Sequence, residues 1–332
     1  SRNVGEKIEK ELKWAVLGTG IIANEMAQAL EKMGKKLYAV ANRTHGKAVE
    51  FAKKYGVQKV YDKIEDMFTD KETDIIYITT PHNTHIKFMI EALKNGKHVL
   101  CEKSITLNSE ELEEAVKIAK EKNLILGEAM TIFNMPLYTE LSEIVNSGKL
   151  GDVRMIQVNF GSYKEYDMNN RFFNRNLAGG ALLDIGVYAI SITRLFMTSK
   201  PDNVLSQVKY APTGVDEQAS IIMMNKEQQM STIALTLHSK QPKRVVIACE
   251  KAYIEITEYP RADKAKIVYT ETGEIEEITV GMTANALQYE LQNMEESVKT
   301  GINKMKLEYT IDVMDIMTKL RKEWGMTYPE EE

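Results

Sequence analysis

Cysteine is scarce in this chain: there are two in 332 residues, Cys101 and Cys249, without the CxxC spacing of a metal or redox pair. A disulfide framework is thereby excluded. Both lie in apolar, strand-like runs and read as buried thiols in a reducing cytoplasm. Histidine is also sparse. The five histidines form no HExxH pattern, and His82 and His85 have no second ligand cluster near them in sequence, so no metal site is expected. No apolar run approaches the roughly 18 residues that a membrane span needs. The first twelve residues, Ser1 to Leu12, are charged and have no signal-peptide core, which points to a cytoplasmic protein. Excess positive charge is missing too. The net charge is -5, and interspersed lysines and glutamates read as solvated faces, so nucleic acid is not an expected partner.

What is present is an ordinary globular composition, 43% apolar and 27% charged, and enough length for two domains with their own cores. Near the N-terminus a short apolar run ends in Gly18-Thr19-Gly20-Ile21-Ile22-Ala23, and Asn24 to Leu30 continues as a helix. Strand, glycine turn and helix in that order is the context of a dinucleotide-binding fingerprint. Gly18 makes the turn, Gly20 lets backbone approach a pyrophosphate, and Ala23 allows close helix–strand packing. The helix N-terminus offers free N–H groups to the phosphates. Two glycines that merely turn a tight loop would leave the same trace, so the remaining chain must decide.

From Leu12 to Ala129, strand-like and helix-like segments alternate, with strands at Leu37–Ala41, Asp74–Thr79, His98–Cys101 and Leu124–Glu128. Such alternation implies parallel strands with right-handed crossovers, a doubly wound Rossmann sheet whose ligands bind at the strand C-termini. Beyond Pro136 come a helix expected over Leu137–Ser147, a strand over Val153–Phe160 and a helix over Gly180–Met197; from Val204 onward strand signals dominate, and two helices close the chain. The fold class expected is therefore α/β: a dinucleotide-binding domain over residues 1–129, then an α+β domain over 130–332 with a large, mostly antiparallel open sheet. The run Ser220-Ile-Ile-Met-Met224 is apolar throughout, so both faces of that sheet should be covered, one of them by a second subunit.

Two further stretches bear polar groups suited to chemistry. Glu102-Lys103 ends a parallel strand at the mouth of the crevice, where a lysine is as a rule merely solvated. In Gly179-Gly180-Ala-Leu-Leu-Asp184-Ile-Gly-Val-Tyr188, Asp184 and Tyr188 are four apart and share one otherwise apolar helix face. The second strand ends in Asn42-Arg43-Thr44 with no carboxylate there to bond ribose hydroxyls. Asn42 can bond the ribose, and Arg43 with Thr44 can meet a 2′-phosphate, so NADP is favoured with NAD possible.

Gly18–Ala23, Thr80-Pro81-His82-Asn-Thr-His85, Gly96–Lys103 and Gly179–Tyr188, in that order, resemble the glucose–fructose oxidoreductase/inositol dehydrogenase (Gfo/Idh/MocA) family. The tyrosine ending the last motif is most similar to the dihydrodiol dehydrogenase and NADP-dependent xylose dehydrogenase branch. The resemblance implies hydride transfer between nicotinamide and a sugar, polyol or related diol. It implies Tyr188 as acid/base, Lys103 as the charge beside it, and Asp184 orienting the substrate or holding Lys103. Thr80, Pro81, His82, His85 and Glu102 would join the glycine loop in binding the cofactor, with His85 near the nicotinamide ribose. Tyr188 would need the Lys103 charge to act near neutral pH. Ser104 replaces the family's usual proline, which should loosen the loop holding Lys103. The stretch Thr131–Pro136 lacks the family's usual arginine and histidine, and Arg171 resembles a family arginine over the site. A nucleotide-binding sensor of the same fold is the rival reading, disfavoured because a sensor needs neither Lys103 nor Tyr188.

Overall fold

The computed structural model describes residues 10–332, so most of the charged N-terminal segment behind the cytoplasmic expectation lies outside the described residues. Strands β1 (Trp14–Leu17), β2 (Ala39–Ala41), β3 (Lys59–Val60), β4 (Ile75–Ile78), β5 (His98–Glu102) and β6 (Leu126–Ala129) alternate with helices. These are α1 (Ile21–Lys32), α2 (His45–Tyr55), α3 (Ile64–Thr69), α4 (His85–Lys94) and α5 (Ser109–Glu121). The six strands form a parallel sheet ordered β3-β2-β1-β4-β5-β6. All four residues are buried in each of β1, β4 and β6, as expected of strands covered by helices on both faces. The order reverses between β1 and β4, and the crevice at their C-terminal ends is where Gly18 and Thr79 meet.

The chain then forms α6 (Thr131–Asn134), α7 (Pro136–Asn146), the long strand β7 (Val153–Tyr163) and α8 (Val187–Phe196). Strands β8 (Asn203–Tyr210), β9 (Asp216–Met224), β10 (Met230–Thr236), β11 (His238–Gln241) and β12 (Arg244–Cys249) follow. After them come β13 (Ala252–Thr257), β14 (Lys264–Tyr269) and β15 (Ile275–Thr279), then α9 (Ala286–Thr300) and α10 (Leu307–Glu323). The second sheet runs β15-β14-β13-β12-β7-β10-β9-β8, with β11 also on β7. Its one parallel pairing is β7 with β10, so the expected mostly antiparallel sheet is what forms. Helices α8 and α10 cover its inner face, while α9 returns to pack on α1. There Trp14 Nε1 donates to Glu295 Oε2 at 2.9 Å, tying the end of the chain to the first strand.

The residues of β9 alternate between buried and open, so within one chain Ile222 lies on an outer face, the face for which a second subunit was expected. Two local expectations are corrected. The helix expected from Gly180 begins instead as a π-helical turn, Leu182–Gly186, before α8 continues it. The stretch Arg175–Phe196 is, by length and composition, long and apolar enough to cross a membrane, contrary to the reading from apolar runs. Its most apolar window is 78% buried inside the protein, which marks it as a core segment.

Candidate active site

At the N-terminus of α1, two glycines are needed for different reasons. Gly18 has φ +108°, and a Cβ on it would lie 2.3 Å from Thr79 Oγ1, so the crossing of β1 and β4 demands glycine. Gly20 has an ordinary φ of -79°, and a Cβ there would meet no protein atom within 4 Å. Nothing in the chain itself requires a glycine at Gly20, and the space its missing Cβ leaves is open to an approaching phosphate. No side chain caps α1 and no acidic residue occupies its first turn, so its N–H groups remain available to an anion. These features fit the pyrophosphate of a dinucleotide.

The adjoining cleft, about 850 Å³, is lined by Gly18, Thr19, Gly20, Asn42, Arg43, Thr80 and Pro81. It also contains Lys47 and Lys54, two cations of α2 that the sequence reading missed. Lys47 lies three residues past Thr44, within the first turn of α2, and that spacing was the available signal. Thr44 itself does not line the cleft; its carbonyl accepts a bond from Asn42 Nδ2 at 3.0 Å, which sets the strand end. Ile21 points to solvent, whereas Ile22 lines the next cavity.

That cavity, about 450 Å³, runs inward from the dinucleotide cleft through Thr80, Pro81 and His82 to Glu102, Lys103, Asp184 and Tyr188. A third, of about 560 Å³, lies beyond and shares Lys103, Arg171, Phe172, Asp184, Tyr188 and Arg261 with it. Lys103, Asp184 and Tyr188 therefore stand at a junction, with room for nicotinamide on one side and a substrate on the other. Lys103 Nζ donates to the Asp184 carbonyl at 2.7 Å, lies 3.4 Å from its carboxylate, and sits 4.8 Å from the Tyr188 ring centroid. Of the two roles expected for Asp184, holding Lys103 is the one the geometry displays.

The loop carrying Lys103 is fixed from several sides, and the loosening expected from Ser104 does not occur. Ser104 is buried and its hydroxyl donates to the Leu183 carbonyl at 2.7 Å. Ile105 N donates to Glu128 Oε2 at 3.0 Å, and His82 Nε2 lies 3.1 Å from the Lys103 carbonyl. The π turn presents the Leu183 and Asp184 carbonyls to these side-chain donors, which accounts for its place beside the site. His85 departs from its expected role. It is fully buried, with Nδ1 at 3.0 Å from the Ser104 carbonyl and Nε2 at 2.7 Å from that of Thr80. Both ring nitrogens face backbone carbonyls, so His85 clamps the β4 and β5 loops together and does not line the cofactor cavity.

Electrostatics set the protonation states. Burial raises the Tyr188 phenol above its ordinary value of 10.0, and Lys103 only partly offsets this. The expectation that Lys103 brings Tyr188 towards neutrality is thus outweighed by desolvation, and Tyr188 is held protonated. For Lys103, burial is outweighed by Tyr188, Asp184 and Glu102, which together raise it, so the ammonium is secure. Asp184 is lowered: burial opposes its charge, but Lys103, Arg171, His82 and Lys164 overcome that. Behind them, Glu102 and Glu290 line the inner cavity, and burial first, then each other's charge, raises Glu290 well above the usual carboxylate range. Glu290 is fully buried with neither carboxylate oxygen bonded among the described residues. The sequence reading missed it, although it interrupts the apolar stripe Leu287, Leu291 and Met294 of α9.

Gly180, at the entry to the π turn, has φ +122°, and a Cβ there would lie 2.2 Å from Asp216 Oδ1. Asp216 Oδ2 accepts the Leu182 N–H at 2.6 Å. The glycine pair thus admits a side chain from β9 that caps the turn. Among the described residues, no three His, Cys, Asp or Glu side chains gather as a metal-binding set.

Comparison with known proteins agrees with this geometry. Residues 12–130 match the oxidoreductase family with an NAD-binding Rossmann fold, and residues 138–255 match the GFO/IDH/MocA C-terminal domain. The chain is 30% identical to the trans-1,2-dihydrobenzene-1,2-diol dehydrogenase of Xenopus laevis, over 96% of this chain and 99% of that one. It is 26% identical to the Homo sapiens enzyme of the same name over the same shares. Its fold is that of a 3-ketoreductase from Actinomadura kijaniata solved with NADP and TDP-benzene (TM-score 0.84, 18% identity, 94% and 98% coverage). The UDP-N-acetylglucosamine 3-dehydrogenase of Acidithiobacillus ferrooxidans shares it too (TM-score 0.79, 18% identity, 94% and 97% coverage). The chain belongs to the Gfo/Idh/MocA family of oxidoreductases with an NAD-binding Rossmann domain.

Proposed function

We propose that this chain is a cytoplasmic, homodimeric NADP-dependent oxidoreductase interconverting a secondary alcohol and a carbonyl on a sugar, polyol or related diol. The observation that carries the reading is the position of Lys103, Asp184 and Tyr188 between the cofactor cavity and the substrate cavity. Arg43, Lys47 and Lys54 in the dinucleotide cleft support NADP over NAD, because a 2′-phosphate would offset their charge. The substrates of the diol dehydrogenase relatives support the alcohol class. NADP, when bound, accepts or supplies the hydride. The chain's own residues handle the proton. The Lys103 ammonium, anchored on the Asp184 carbonyl, is placed to bond the substrate oxygen and stabilise negative charge developing there. Tyr188 Oη, protonated at rest, gives its proton to that oxygen during reduction; in oxidation it first releases its proton to solvent and, as phenolate beside Lys103, takes the alcohol's. Phe160 stacks on Tyr188 with ring centroids 5.8 Å apart and keeps water from that face.

The test is a spectrophotometric screen of aldoses, polyols, diols and their carbonyl partners with both cofactors. Tyr188→Phe is expected to cut kcat by about 100-fold or more while NADPH affinity is retained. Wild-type turnover by that variant would sink the acid/base assignment. Silence across the whole panel despite tight NADPH binding would sink the enzymatic reading.

A further inference from the structure

Several features of the molecule stand outside the chemistry derived so far, and the strongest lies in the substrate cavity. Its lining includes six cations, Lys103, Lys164, Arg171, Lys243, Arg261 and Lys264, against three carboxylates, Asp184, Glu258 and Asp263. That imbalance runs against the chain's net charge of -5. Three of the cations have carboxylate partners: Lys103 has Asp184 at 3.4 Å, Arg261 has Glu25 at 3.0 Å, and Lys243 has Glu258 at 3.9 Å. Among the described residues, Lys164, Arg171 and Lys264 form no ion pair. The Asp263 carboxylate is occupied with the Thr283 N–H at 3.1 Å.

Lys164 and Arg171 also share an aromatic neighbour. Lys164 Nζ lies 4.2 Å, and the Arg171 guanidinium carbon 4.5 Å, from the centroid of the same ring, Phe172. The Lys164 backbone is pinned on both sides, its N–H donating to the Leu237 carbonyl at 2.8 Å and its carbonyl lying 2.8 Å from His238 Nδ1. The ring's quadrupole attracts each cation, but a cation–π contact replaces only part of what a carboxylate partner would supply. Both line the cavity that holds Asp184, whose carboxylate their charge helps keep ionised. Arg171 lines the nicotinamide side of the cavity as well, so the pair stands within a small molecule's length of Tyr188. A cleft lined by uncompensated charge of one sign concentrates ligands of the other.

We propose that the substrate carries an oxyanion, a phosphate or carboxylate on its sugar or polyol frame, and that Lys164 and Arg171 bind it. This rests on the oxidoreductase reading of the same site, and deepens it. The guanidinium offers a planar fork matched to either oxyanion, and the ammonium supplies a point charge. Phe172, in contact with both and itself in the cavity lining, fixes where they stand relative to Tyr188. Lys264, exposed at the mouth, extends the positive field outward.

The test separates binding from turnover. The NADP-loaded protein is titrated calorimetrically with glucose, glucose 6-phosphate and gluconate, then with the other neutral sugars and polyols of the activity screen alongside their phosphate esters and acids. At least one anionic member is expected to bind about tenfold or more tighter than its neutral parent, with affinity falling steeply as salt rises. The phosphate and acid arms identify which oxyanion is preferred. Lys164→Gln with Arg171→Gln is expected to erase that preference, whereas Lys164→Arg with Arg171→Lys keeps it. Neutral parents binding as well as every anionic partner would overturn the proposal. So would an unchanged preference in the glutamine variant, or equal losses in both double variants, since that would trace the effect to packing on Phe172 and not to charge. Absence of turnover with every compound would count against the oxidoreductase reading alone, because the binding comparison stands without it.

Discussion

Arg43 and Lys47 are the residues on which cofactor choice turns. Both line the dinucleotide cleft where a 2′-phosphate would lie, and neither has an ion-pair partner among the described residues. Arg43→Ala and Lys47→Ala are each expected to weaken NADP binding about tenfold or more, the worth of a charge-assisted bond, while NAD binding changes little. Titration calorimetry with both cofactors checks this, and equal losses would remove the 2′-phosphate argument. Arg43 was legible in the sequence because it ends a strand at a known distance past the glycines. Asp184 and Tyr188 were legible because a carboxylate and a phenol on an apolar helix face need a reason, whereas Lys103 stood out only through the resemblance to the family. Besides Lys47 and Lys54, which went unread, and Ile21 and Thr44, which do not line the cleft, two residues show why reading fails. His85 carries a functional residue type but serves as a clamp, and only its three backbone carbonyl neighbours reveal that. Glu290 belongs to a helix far away in the chain, and nothing local announces that α9 folds back beside Glu102.

At the scale of elements, the loop after β5 and the π turn before α8 form one device. Ser104 joins them through its bond to the Leu183 carbonyl, and Lys103 joins them through its bond to the Asp184 carbonyl. Ser104→Ala is expected to cost about 1 kcal/mol of stability, the net worth of a buried hydrogen bond. It should lower kcat several-fold with KM nearly unchanged, because Lys103 loses its fixed geometry. Denaturant unfolding and steady-state kinetics read the two effects separately, and an unchanged kcat would show that Ser104 has no positioning role. The alternation of β1 to β6 with helices was legible because fully buried strands and amphipathic helices differ in period. The π turn was not. An extra residue in a helical turn leaves the apolar pattern of Ala181 to Val187 intact, so only the carbonyl geometry shows it. Strand β11 and the parallel β7–β10 pairing were also hidden, since strand patterns disclose faces and not neighbours.

Taken whole, the molecule buries charge that makes its stability depend on pH and leaves apolar surface that the proposed dimer would cover. Burial pushes Glu128 and Asp216 up to about 7 from ordinary values of 4.5 and 3.8. Between those limits the folded chain holds more protons than the unfolded chain, so this contribution is complete at low pH and is lost as pH rises through 7. Burial lowers His82, His85 and His98 below their ordinary 6.5, so these favour unfolding as pH falls below that value. Burial raises Glu102, to about 7, and Glu290 as well, so the raised carboxylates outnumber the histidines and the melting temperature should decline from pH 6 to pH 8. Glu128→Gln is expected to flatten the decline, and a calorimetric series across pH showing the same slope in both proteins would refute the assignment. The surface argument concerns the second sheet. Leu205, Ile222, Tyr253 and Ile275 are 62%, 44%, 41% and 58% exposed on its outer face, beside the similarly directed Met230. Leu205 and Ile222 are direct cross-strand neighbours, so they form a continuous patch that water would otherwise face. Their strands contribute no residue to the three cavities, which are lined from a single chain. Leu205→Glu with Ile222→Glu is thus expected to convert a dimer to a monomer in light scattering, with NADPH affinity within about twofold of wild type, since carboxylates on that face cannot be desolvated against a copy of themselves. A wild-type protein that is already monomeric at micromolar concentration would sink the dimer, and a dimer that survives both glutamates would move the interface to another face.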